Sequence, residues 1–207
     1  MLRVKLSLSS VFFVTLFFML SNCSENSINE KASISESAAV EQIFEAGEKA
    51  ILKKRYSDAA DQFREVERLY PYSDWARRAL IMQAYSFYKD KSYENVASAA
   101  NRFIEFNPND DDVPYAYYLI GLSYFDQVQE IGRDQKLTAQ ALKVFKLIMD
   151  EFPNSEYSIK SELRFDFLQN QLASKEMEIG RYYLKRSHHA PAINRFRGVI
   201  EDFSKTP

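Results

Sequence analysis

Residues 47–73 read GEKAILKKRYSDAADQFREVERLYPYS, and the spacing within this stretch decides the fold. Gly47 is a small residue of the kind found where two antiparallel helices cross closely. Tyr56 marks the turn between those helices. Ala59 and Phe63 follow one helical turn apart, the aromatic filling the gap to whatever stacks next. Pro71 ends the second helix, because proline has no amide hydrogen and its ring clashes with the preceding turn. Ser57 and Ser73 are placed to cap the starts of successive helices.

The pattern recurs. Ala84, Tyr93, Val96, Ala100 and Pro108 keep the spacing once three residues are added after Pro71. Gly121, Ala141, Phe145 and Pro153 match if eight residues are inserted around 129–136. Gly180, Ala192 and Phe196 form a fourth unit, with Ser204 where the others have proline, and an additional helix over about 159–172 precedes or extends its first helix. Four units in one register resemble tetratricopeptide repeats and predict an all-α superhelical solenoid of about four repeats over 38–207. The chain stops at Thr206-Pro207, where a further helix should begin and where a solenoid needs a polar capping element. A fifth repeat is therefore expected to be missing and the chain truncated.

Composition agrees. The 207 residues are 46% hydrophobic, 27% charged and 14% aromatic, with only five glycines and six prolines, which excludes a turn-dense β-sandwich. A net charge of −2 offers no basic field for a phosphate backbone, so nucleic acid is not an expected partner. One cysteine, Cys23, excludes an intramolecular disulfide framework. No G-x-G-x-x-G, P-loop, G-x-S-x-G or H-E-x-x-H occurs, so no enzymatic activity and no cofactor is expected. A lytic transglycosylase would need a separate catalytic domain, for which the chain has no room.

Residues 1–22 read as a signal peptide. Arg3 and Lys5 precede an uncharged run from Leu6 to Leu20, too short for a comfortable membrane span. Leu20-Ser21-Asn22-Cys23 resembles a bacterial lipobox, with Asn22 departing from the usual small residue; an ordinary signal peptide with an incidental cysteine is the other reading. The lipobox implies N-palmitoyl and S-diacylglycerol groups on Cys23, and several acyl chains together give stable anchoring. Ser24 after the cysteine points to the outer membrane by the sorting rule known for such lipoproteins. Residues 23–37 read as the lipidated N-terminus and a flexible, aperiodic tether of roughly 20 Å.

Three segments carry a closer resemblance: FREVERLYPYS (63–73), PYAYYLIG (114–121), and GRYYLKR (180–186) with AINR (192–195). Generic tetratricopeptide repeats do not require Arg-Tyr-Tyr-x-Lys-Arg. With the lipobox and the repeats, these segments resemble the BamD (ComL) family of outer-membrane assembly lipoproteins over essentially all of 23–207. Ser204, His188-His189 in the turn of repeat four, and the missing fifth repeat depart from the family pattern. The resemblance implies a lipid-anchored, non-enzymatic scaffold on the periplasmic face of the outer membrane, within the Bam complex. Its partners would be the periplasmic domains of BamA, other Bam lipoproteins, and unfolded outer-membrane β-barrel proteins, whose C-terminal signal usually ends in an aromatic residue. The alternative is another envelope tetratricopeptide lipoprotein coordinating cell-wall synthesis; such proteins usually carry a coiled coil ahead of the repeats.

Two side-chain clusters are candidate sites. Tyr85 and Tyr88 in repeat two, and Tyr115, Tyr118, Leu122 and Phe125 in repeat three, fall on first-helix positions facing the concave side. They read either as inter-repeat core or as a groove for an extended peptide with an aromatic end. Arg181, Lys185, Arg186 and Arg195 read either as a solvated helix face or as a partner-binding surface, and the family places BamA contact in the C-terminal repeats. His188 and His189, adjacent in a turn, are not a metal pair; His189 stands where Tyr56 and Tyr93 stand. Asn109-Asp110-Asp111-Asp112 reads as a solvated loop helping to cap the helix that begins near Pro114.

Overall fold

The computed structural model describes residues 24–128, 136–204 and 206. Among the described residues there are eight α-helices and no strand: α1 (Ser24–Leu52), α2 (Tyr56–Leu69), α3 (Asp74–Lys89), α4 (Tyr93–Phe106), α5 (Val113–Phe125), α6 (Lys136–Glu151), α7 (Glu156–Lys185) and α8 (His189–Asp202). Odd helices open each repeat and even helices close it. The opening helices touch one another directly, α1 with α3, α3 with α5 and α5 with α7. The closing helices meet only the opening helices on either side. That asymmetry makes an inner layer and an outer layer of a solenoid.

The closing helices α2, α4 and α6 each bury one stripe, while α8 buries only Ala192. In α2 it is Ala59, Ala60, Phe63 and Val66; in α4 it is Val96, Ala99, Ala100 and Phe103; in α6 it is Thr138, Ala141, Phe145 and Ile148. These offsets of three and four are the apolar period of a helix packed on one side. The inner helix α5 is buried nearly all round, because it is sandwiched between two repeats.

The small residue of each unit lies under the aromatic of its own closing helix. A Cβ added at Gly47 would stand 2.8 Å from the Phe63 ring, and one at Gly121 2.6 Å from the Phe145 ring; Gly180 has the same relation to Phe196. The Gly121–Phe145 match holds only with the eight-residue insertion that the sequence called for, whose residues 129–135 lie outside the described ones. Repeat two breaks the pattern in a compensated way. Its small residue is Ala84, its partner is Ala100, and the aromatic moves one turn on to Phe103, where repeat one has Val66. Bulk is conserved while its position shifts, as a close-packed core requires.

The turns repeat too. Lys54, Lys91 and Ser187 all have left-handed backbones, with φ of 57°, 61° and 62°. After each, an N–H reaches five residues back: Arg55 to the Ala50 carbonyl, Ser92 to Phe87, His188 to Tyr183. This is a left-handed helix C-cap. Between repeats, Tyr70, Asn107, Phe152 and Phe203 each donate to the carbonyl four back, and Ser73, Asp110, Ser155 and Thr206 donate back to those same four residues at 3.0–3.1 Å. Ser204 therefore makes the turn that Pro71, Pro108 and Pro153 make elsewhere.

Several local expectations are corrected. Residues 24–37, expected as a flexible tether, are the first half of α1; no glycine or proline interrupts the chain between Ser24 and Gly47. Ser73 does cap α3, accepting from the Ala76 N–H at 3.0 Å, but Ser57 caps nothing, since α2 begins at Tyr56 and its cap position is Arg55. The additional helix in repeat four starts at Glu156, capped by Ser155, and is continuous with the first helix of that repeat. In the acidic loop Asp112 makes no capping bond. Asp110 instead accepts from the Asp112 N–H and pairs with Arg77 at 2.7 Å, tying the loop to α3.

Candidate interaction surfaces

On the inner layer, Tyr85 and Tyr88 on α3, and Tyr115, Tyr118, Leu122 and Phe125 on α5, are brought to one region, and they divide. Tyr118 and Leu122 are buried, 7% and 8% exposed, in the core between repeats three and four. For these two the core reading holds and the groove reading is corrected: Tyr118 packs 6.3 Å from Phe145, and α7 covers its other side. Tyr85, Tyr88, Tyr115 and Phe125 are only half-buried.

The wall is completed by a stripe of α7 that sequence reasoning passed over. Tyr157, Lys160, Arg164 and Phe167 recur at intervals of three and four, so they share one helix face. The Tyr157 ring lies 5.2 Å from Tyr115 and 5.3 Å from Tyr118, and Phe167, half exposed, lies 5.6 Å from Phe125. Lys160 sits 4.8 Å over Tyr157 and pairs with Glu156 at 2.7 Å. The Arg164 guanidinium lies 5.2 Å over Tyr118 and 5.7 Å over Phe125. On the opposite wall the Tyr88 hydroxyl donates to Asp126 at 2.8 Å. The periodicity of this stripe was in the sequence; what hid it was the helix start, placed at residue 159 and so beyond Tyr157.

Burial pushes the phenols of Tyr88 and Tyr115 well above their ordinary range, and the hydrogen bond to Asp126 adds to the effect at Tyr88. Tyr157 is pushed up to about 12, by burial first and by Glu156 second. Burial also raises Tyr118, against the opposing pull of Arg164 and Lys160. The surface is thus aromatic, with neutral hydroxyls and two cations at one side.

The basic cluster of repeat four is not one face. Arg195 on α8 reaches back to Glu176 at 2.8 Å, on the side of α7 that packs against α8. Gly180, under Phe196, faces the same way. At about 100° per residue, Arg181 and Lys185 stand roughly 100° and 140° round the helix from Gly180. Both are exposed, without a carboxylate partner among the described residues. Arg186 stacks 4.2 Å over Tyr182. Tyr182 and Leu184 are half exposed beside them.

His189 is the first residue of α8, as Tyr56 and Tyr93 are of α2 and α4, while His188 occupies the cap position and lies 6.4 Å from the Tyr183 ring. No group of three His, Cys, Asp or Glu side chains among the described residues could hold a metal ion. No helix among them is long and apolar enough to cross a membrane. Cys23 and the segment 1–22 lie outside the described residues.

Curated relatives share much of this chain. The outer membrane protein assembly factor BamD of Caulobacter vibrioides is 39% identical over 171 residues, 83% of this chain and 56% of the relative. The protein of that name from Rickettsia prowazekii is 36% identical over 169 residues, 82% of this chain and 67% of its own length. The one from Neisseria meningitidis serogroup A is 28% identical, covering 93% of this chain and 76% of the relative. The chain thus spans little more than half of the Caulobacter protein. A solved structure, MamA residues 41-end from Desulfovibrio magneticus RS-1, overlaps 78% of this chain and 74% of its own at 18% identity, with a TM-score of 0.44. The model of the YfiO family, described as outer membrane lipoprotein, matches residues 36–207, and the chain therefore belongs to the YfiO family of outer membrane lipoproteins.

Proposed function

We propose that this chain is a non-enzymatic scaffold of the outer-membrane β-barrel assembly machinery, anchored to the periplasmic face of the outer membrane by lipid on Cys23. In this reading its C-terminal repeats hold the periplasmic domains of BamA, alongside other Bam lipoproteins. Its inner surface receives the C-terminal signal of unfolded barrel proteins. The relatives' shared description as assembly factors supports the role.

The observation that carries the substrate half is the set of partly exposed rings on the inner layer, Tyr85, Tyr88, Tyr115 and Phe125. An extended strand with an aromatic end finds there an apolar wall for its ring, and neutral hydroxyls to meet its polar groups. Affinity purification from detergent-solubilised outer membrane tests the partner half: BamA should come down in stoichiometric amount, and its absence would sink the reading. A photo-crosslinker in place of Tyr88 tests the substrate half. It should capture a peptide ending in phenylalanine more than one ending in aspartate, and equal capture would reject the groove.

A further inference from the structure

We propose that Arg164 is the carboxylate-binding group of the aromatic groove, and that it takes the α-carboxylate of a polypeptide whose last residue is aromatic. The proposal rests on the groove reading above and names the residue that would set its specificity. Four charged side chains surround the Tyr118 ring: Asp126, Glu156, Lys160 and Arg164. Three are engaged. Glu156 and Lys160 pair with each other at 2.7 Å, and Asp126 accepts from the Tyr88 hydroxyl at 2.8 Å. Arg164 is different. Its Nη1 donates to the Lys160 carbonyl of its own helix at 3.1 Å, its Nε–H is buried with no acceptor, and no described carboxylate lies within 4 Å.

A guanidinium laid over two rings, with a buried donor unmatched, is a charge held in place without its counter-ion. The side chain is only part-buried, so its outer nitrogens stay open to a counter-ion that would relieve the charge. Its planar fork fits a carboxylate with two parallel hydrogen bonds. The rings beside it that stay open, Phe125 and Phe167, favour an aromatic side chain next to that carboxylate. The two needs select a chain end. In an extended strand neighbouring side chains point to opposite faces, so an internal acid beside an aromatic cannot offer both to one wall, and an acid two residues away stands about 7 Å off. A C-terminal aromatic residue carries its ring and its carboxylate on one Cα.

The test uses the full chain in detergent and labelled extended peptides ending in phenylalanine, as the free acid or as the amide, read by fluorescence anisotropy. On the native chain the free acid should bind about tenfold or more tighter than the amide, the contribution of one charge-assisted hydrogen bond. Arg164→Gln should bind acid and amide equally, and Arg164→Lys should keep part of the preference. If the glutamine variant loses helical content, Arg164→Met, which keeps an apolar stem over the rings, decides instead. Equal binding of acid and amide by the native chain, or a preference that survives in the variants, overturns the assignment. So does an amide peptide with aspartate two residues before the phenylalanine, if it binds as well as the free acid. A crosslinker at Tyr88 separates the two layers. Capture of acid and amide alike removes only the role of Arg164, whereas capture of neither removes the groove as well.

Discussion

Lys54, Lys91 and Ser187 are held in a backbone conformation that L-residues avoid, because Cβ then crowds the following carbonyl, at a cost of about 1–2 kcal/mol. Glycine has no such cost, and it is the residue most helix ends use at this position. Replacing Ser187 by glycine should therefore raise stability by about 1 kcal/mol, seen as a higher midpoint in urea with unchanged slope; no change would mean that the Ser187 turn is already relaxed. The strain was not legible in the sequence, since none of the three positions holds a glycine to announce it. Capping is a residue-scale matter as well. Ser73 Oγ accepts from the Ala76 N–H, whereas Ser57 lies inside α2. Ser73→Ala should cost about 1 kcal/mol and Ser57→Ala far less, in chemical denaturation of the two variants side by side. From sequence the two serines looked alike, because each precedes a helical run. Only the cap position, at Arg55 and so two residues before Ser57, separates them.

At the scale of elements, the pairing of a small residue with an aromatic joins the two helices of three of the repeats. The spacing named both residues, but it read the aromatic as filling the gap to the next repeat, whereas the ring lies on the small residue of its own. Gly121 under Phe145 shows why the spacing matters: a methyl group added there would stand 2.6 Å from the ring, well inside contact distance. Gly121→Ala should destabilise by about 1–3 kcal/mol through overpacking, and Phe145→Ala by about 3–5 kcal/mol through the cavity it leaves. The double variant should cost less than the sum, because repeat two already uses the alanine–alanine combination at Ala84 and Ala100. A double-mutant cycle by denaturant unfolding measures this, and strict additivity would show that the two sites do not share one space. Less legible were the extents of α1 and α7. Polar residues 24–37 lack an apolar period, and the pattern reading equated that with a tether, yet a run without glycine or proline stays helical when it continues a packed helix. In α7 the same reading missed the stripe from Tyr157 to Phe167, and with it Arg164, since it began the helix at residue 159 rather than at Glu156.

At the scale of the whole molecule, a solenoid's repeats contact only their neighbours, so each end can act with little effect on the other. The register of four repeats was readable from one sequence; which faces stay open was not, because exposure depends on what the next repeat covers. Tyr118 and Tyr115 are three residues apart with the same side-chain type, and α7 touches both, but only the first is buried while the second stays partly exposed.

The same logic splits the basic cluster of repeat four, and it sharpens the expectation for partner binding. Arg195 is committed to Glu176 across the α7–α8 contact, with both side chains partly exposed, so Arg195→Ala should lower stability by no more than about 1 kcal/mol. Arg181 has no such commitment and stands on the exposed side of α7, one turn from Lys185 and next to half-exposed Tyr182. An unpaired planar cation flanked by apolar surface, on a chain of net charge −2, suits an acidic partner that can pair with it as both lose water. If BamA docks on this side of repeat four, Arg181→Ala should weaken the complex by about 2 kcal/mol, roughly thirtyfold in affinity, with helical content and melting temperature unchanged. Arg195→Ala should show the opposite pairing, a small loss of stability with binding nearly intact. Titration of each variant against the periplasmic domains of BamA, with a thermal melt of the same samples, separates the two. Normal binding by Arg181→Ala would place the interface on another face. Loss of folding in that variant would make Arg181 a residue that holds the repeat together.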